Sequence, residues 1–162
     1  MSRYASETVV PVERSRAEIE ECLKRYGATS FTSGWDEGSA MIAFRIRNLN
    51  VRFVLPIPSP KDAEYKRKLV RGHERMTTDA QKEKMCEQDI RQRWRALLLV
   101  VKAKLEAVEC KIATLEQEFM AFIVLPNDET LGQWVARNAI EAIRRGEMPL
   151  ALGPAKENGH SD

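Results

Sequence analysis

The chain is poor in the residues that carry most metal, redox and nucleophilic chemistry. Of its 162 residues only three are cysteine and two histidine. Cys22, Cys86 and Cys110 form no CxxC pair and are odd in number, which excludes a disulfide scaffold and predicts reduced thiols in a cytoplasmic protein. His73 and His160 have no Cys, His or carboxylate cluster at zinc-ligand spacing, so no metal is expected. GxxxxGK[ST], GxGxxG and GxSxG are all missing, which leaves no phosphate-cradling loop and no nucleophile elbow. No apolar run approaches ~18 residues, and the opening MSRYASETVV lacks the apolar segment of a secretory signal. The expectation is a soluble protein with no membrane partner, no cofactor and no enzymatic activity.

Two acidic groupings stand against that expectation. Asp36 and Glu37 follow Trp35 in GWDEGS, where flanking glycines make them hairpin-turn residues. Asp62, Glu64 and Lys66 loosely match the D…ExK set of metal-dependent nucleases, in which carboxylates hold Mg²⁺ and lysine steadies the nucleophile. They fall after the last strand in a charged connector, so the pattern is set aside.

What the chain does have is apolar periodicity and an uneven charge. With 43% hydrophobic and 31% charged residues it has the composition of a globular protein, and its length suits one domain. SRAE at 15–18 reads as a capping box, followed by Ile19, Cys22, Leu23 and Tyr26 at helical spacing and by Gly27 as a C-terminal cap. This predicts a short helix over about 16–26, with TVVPV at 8–12 before it as an edge strand. From Thr29 the period changes to two, predicting three antiparallel strands near 28–34, 39–47 and 51–57. If RNLN closes a tight hairpin with Leu49 and Asn50 at its tip, Arg47 faces Arg52 across the two strands. Residues 58–80 then read as a solvated, flexible connector.

The stretch RQRWRALLLVVKAKL opens a longer pattern. Trp94, Leu98, Val101, Leu105, Val108, Ile112, Leu115, Phe119 and Phe122 alternate at spacings of four and three, a heptad seam with no Gly or Pro until Pro126. It predicts one helix of about 40 residues, from about 80 to 124, and self-association through its 91–122 portion as a homodimer, the alternative being that Leu131–Ile143 and the sheet cover the seam. Trp94 is read as a core anchor of that seam. TLGQ at 130–133 offers a capping box for a returning helix through Ile143, closed by Gly146, and the tail 153–162 is expected to be disordered. The fold class is therefore α+β, a single domain over 1–152.

Net charge is +2, yet residues 45–104 hold 16 Lys/Arg against 7 Asp/Glu. A local +9 points to a polyanion-facing side, the alternatives being ordinary surface variation and, for the sheet arginines, a glutamate from the same fold. The candidate nucleic-acid-binding residues are Arg45, Arg47 and Arg52 on the sheet, Lys66, Arg67, Lys68 and Arg71 in the connector, and Arg91 and Arg95 at the helix start. Unpatterned cations of this kind neutralise phosphates without reading bases, so little sequence specificity is expected.

KRYGATSF-x₃-WDE, the pair AFRIR/VRFVLPIP and RQRWRALLLVVKAKLEAVECKIATLEQEF-x-AFIVLP together resemble a family of small uncharacterised proteins encoded in bacteriophage and prophage genomes. The resemblance spans roughly 9–150 and carries no catalytic or ligand residues with it. It implies a phage product in the host bacterial cytoplasm. Two readings follow: a non-enzymatic accessory protein binding nucleic acid, DNA ahead of RNA, or a protein-directed effector that inhibits a host defence or host polymerase component.

Overall fold

The computed structural model describes residues 8–70 and 73–148, and the side chains at 68–70 and 73–74 fall outside that description. The α+β order is as expected: a short helix, a three-stranded antiparallel sheet, a long helix and later C-terminal helices. Helix α1 spans Val12–Arg25 and strands β1, β2 and β3 span Ala28–Asp36, Ser39–Ile46 and Leu49–Pro56.

Helix α1 starts earlier than SRAE suggested. Pro11 is the N-cap, its fixed φ suiting the entry, and residues 8–11 carry no strand. Ser15 is therefore inside the helix and fully buried, and its hydroxyl has no hydrogen-bond partner among the described residues. The C-terminus follows the sequence reading: Gly27 has a φ of +87° and its N–H donates to the Lys24 carbonyl.

The sheet buries one face. Ile42, Phe44 and Ile46 of β2 and Val51 and Phe53 of β3 form a core with Ile19 and Leu23 of α1. The β2–β3 turn corrects the predicted hairpin tip. Arg47 and Asn48 are the two turn residues, with φ of 45° and 69°, the paired positive values of a type I′ turn. Leu49 opens β3 opposite Ile46, and Arg52 stands opposite Ala43, so Arg47 does not face Arg52.

The connector is not a bare loop. It holds a 3₁₀ turn at Ala63–Tyr65 and a two-stranded hairpin, β4 (Arg67–Val70) with β5 (His73–Met76). Its root is pinned: the Cys86 thiol donates to the Pro58 carbonyl, the Thr77 N–H to the Lys66 carbonyl, and the Thr77 hydroxyl to the Tyr65 carbonyl.

Helix α2 runs Asp79–Glu109, opened by a Thr78–Gln81 capping box, and so is 31 residues long and not about 40. Its Trp94, Leu97, Leu98, Val101 and Leu105 lie buried against the sheet and α1. Beyond it the predicted helix breaks. Lys111 turns left-handed at φ 59°, the Ile112 N–H donates back to the Ala107 carbonyl, and a second capping box, Thr114 with Gln117, starts α3 (Leu115–Phe119). The break turns the chain over the sheet. Leu115 and Phe119 are buried, with the Phe119 ring edge-on to Phe44 and Phe53 at 5.9 and 6.3 Å. Phe122, in a 3₁₀ turn over Met120–Phe122, stacks on Phe53 at 4.0 Å. Ile112 is 79% exposed. The seam is thus largely covered by its own chain.

Past Ile123, which bridges to Val51 at the β3 edge, the predicted returning helix appears as two. Helices α4 (Leu131–Asn138) and α5 (Ile140–Arg144) are divided at Ala139, whose φ is −125°. The capping box at Thr130 and Gln133 is present, as is the left-handed Gly146. Helix α4 packs on the Met120–Phe122 turn and not along α2. Gly132 makes that approach possible, since a Cβ there would lie 2.7 Å from the Ala121 carbonyl oxygen. The 153–162 tail lies outside the described residues.

Candidate nucleic-acid interface

Eight of the nine candidate cations fall in four places, and Arg71 lies outside the described residues. Arg45 and Arg52 lie on the open face of the sheet, opposite in sense to buried Phe44, Val51 and Phe53. Arg91 and Arg95 belong to α2, which packs on the other face. Alternation along a strand dictates this separation, so one continuous basic face joining sheet and helix is not formed. Arg47 sits apart, in the exposed β2–β3 turn.

Most of these arginines also meet partners within the chain. Arg52 donates to the Asp128 carboxylate at 3.0 Å and to the Asp128 carbonyl, with its side chain 18% exposed. Arg95 pairs with Glu18 at 3.0 Å, both side chains largely covered. Burial alone would raise the Glu18 carboxyl, but the hydrogen bond and charge of Arg95 outweigh it and hold the group below its ordinary value. Arg91 donates to Gln88 at 2.7 Å and lies 3.8 Å from Glu87, while Arg45 donates to Asn50 at 3.0 Å. An intramolecular acid is thus the principal partner of Arg52 and Arg95.

The hairpin stands out by its charge balance. Residues 66–76 hold five Lys/Arg and one Glu. Lys66, Arg67 and Arg75 are exposed, the ladder sets Lys68 opposite Arg75, and Arg71 lies outside the described residues. The like-charge cross-strand pair expected at Arg47 and Arg52 occurs here instead, in a register that costs stability unless an anion answers it. Arg75 was not nominated from the sequence, because the pairing that gives it meaning was hidden in a segment read as loop.

At the hairpin root a cavity of about 550 Å³ lies between the 63–65 turn and α2, with Tyr65, Gln81, Lys84, Met85 and Asp89 in its wall. The Tyr65 hydroxyl donates to Asp89 at 2.7 Å, and burial together with that carboxylate pushes its pKa well up. The nuclease-like pattern does not assemble: the Asp62 carboxylate accepts the Ser59 N–H as a turn cap, while Glu64 lines the cavity. Asp36 accepts the Glu37 N–H at the β1–β2 turn, beside a Trp35 that is 85% exposed. Among the described residues no three His, Cys, Asp or Glu side chains gather as metal ligands, and no helix is long and apolar enough to cross a membrane. No family model, curated protein or solved structure matches the chain.

Proposed function

We propose that the protein is a non-enzymatic accessory protein, of the phage type its sequence resembles, that holds nucleic acid through the basic β4–β5 arm with little sequence preference. The observation that carries this reading is the arm itself: a two-stranded ribbon, separate from the main sheet, with five Lys/Arg in eleven residues and like charges opposed in its ladder. A two-stranded ribbon has the width to enter the major groove of B-form DNA, whereas the major groove of A-form RNA is too narrow for side chains to read, which favours DNA. Lys84 beside the root extends the positive field, and the arginines of the sheet and helix become structural.

The test is fluorescence anisotropy on unrelated duplexes across a salt series. Five phosphate contacts give a log–log salt slope of about −4.5, the same for every sequence. Lys68→Glu with Arg75→Glu should weaken binding to all duplexes alike while leaving the circular dichroism unchanged. Absence of binding at ~50 mM salt, or an arm variant that binds as the parent does, would transfer the assignment to the protein-directed effector.

A further inference from the structure

Strand β1 is the open edge of the main sheet. The sheet order is β1-β2-β3, and among the described residues the only bridge to that sheet from outside it is on the β3 side. Folded proteins blunt such edges with lysine, proline, bulges or short strands, because a row of unpaired N–H and C=O groups accepts another strand. Over its nine residues, ATSFTSGWD, β1 has no Lys, Arg or Pro, and its one register irregularity is confined to Ala28–Ser30. The two-residue turn closes on Asp36 and Ser39, so alternate residues bond to β2 and Phe31, Ser33 and Trp35 turn their backbone groups outward.

We propose that β1 pairs antiparallel with the β1 of a second copy of this chain, about a two-fold axis at Ser33, to make one six-stranded sheet. The register is self-complementary. It sets Phe31, which is half-buried, opposite the partner's Trp35, giving that exposed indole an aromatic neighbour on the same face. It sets Ser30 opposite the partner's Asp36. Ser30 already stands opposite Arg45 on β2, on the outer face, and is small enough for Arg45 to reach over it to that carboxylate. The Arg45 Nε is held by Asn50, which leaves its terminal nitrogens for the pair. Two-fold symmetry makes both contacts twice, whereas a foreign strand would have to supply the aromatic and the acid by chance.

Sedimentation equilibrium on the full chain tests this. The expected mass is twice 18.5 kDa at high micromolar concentration, with tryptophan emission moving to shorter wavelength as the dimer forms. Asp36→Arg should raise the dimer dissociation constant at least ~10-fold by placing it near the partner's Arg45, and combining it with Arg45→Asp should restore the parent value. A monomer at every concentration, a dimer indifferent to Asp36→Arg, or a double variant as weak as the single one overturns the proposal. Circular dichroism on both exposed-site variants confirms that folding is intact.

Discussion

The break between α2 and α3 can be tested by two substitutions whose signs reverse if the helix is continuous. Lys111 is exposed and holds a φ of 59°, which costs a residue with a Cβ about 1–2 kcal/mol. Lys111→Gly removes that cost and adds the greater unfolded-state freedom of glycine, about 0.5–1 kcal/mol, leaving a net gain of ~0.5–1 kcal/mol. Thr114→Ala removes the hydroxyl that accepts the Gln117 N–H, a lost N-cap worth about 1 kcal/mol. Were residues 80–124 one helix, glycine at its middle would instead cost ~1 kcal/mol, and Thr114→Ala would gain up to ~0.7 kcal/mol from propensity. Urea denaturation followed by circular dichroism resolves the two cases. With a slope near 2 kcal/mol/M, Lys111→Gly should move the midpoint up by ~0.25–0.5 M and Thr114→Ala should move it down by about as much. A midpoint that falls for Lys111→Gly and rises for Thr114→Ala, at constant slope, would refute the break and return the seam to a continuous coiled-coil face.

Two further outcomes follow from the packing. Phe119→Ala should lose ~3–5 kcal/mol by calorimetry or urea, because the ring is fully buried between Phe44 and Phe53; a loss under ~1 kcal/mol would mean the 115–122 segment does not lie on the sheet. The Glu18–Arg95 pair sets a pH dependence: since the folded carboxyl lies below its ordinary value, its contribution is present above the unfolded pKa and is lost as pH falls through the folded one. The parent should therefore exceed Glu18→Gln in stability at neutral pH, with the gap closing below about pH 4, and a gap that persists in acid would contradict the assignment.

The strands and the core face were legible because alternation between apolar and polar residues fixes which side is buried. The β2–β3 register was not, for a specific reason. Moving the hairpin tip from Leu49–Asn50 to Arg47–Asn48 slides the pairing by an even number of residues, so Ile42, Phe44, Val51 and Phe53 keep the same face in either register. Periodicity cannot choose between them. The helix break was hidden in the same way, since Leu115 and Phe119 continue the 4–3 spacing although the chain has turned. A signal did exist: TLEQ at 114–117 has the same form as TLGQ at 130–133, and both are real N-termini. SRAE has that form as well and is not one, because Pro11 starts the helix four residues earlier. A capping box marks a helix start only when nothing upstream supplies a better one.

The charge asymmetry of the sequence resolves into two different things. The window 45–104 carries the excess of cations and the rest of the chain the excess of acids. Folding joins them: Arg52 meets Asp128, Arg95 meets Glu18 and Lys104 meets Glu118, each pair linking a cation inside the window to an acid outside it. For these residues the local +9 records only that partners distant in sequence come together in space. The β4–β5 arm lies in the same window but forms a sheet of its own, rooted on the 63–65 turn. Its cations outnumber the single Glu74 within it. A basic run therefore speaks for an external anion only where the chain's own acids do not answer it, a condition that Arg52, paired with Asp128, and Arg95, paired with Glu18, do not meet.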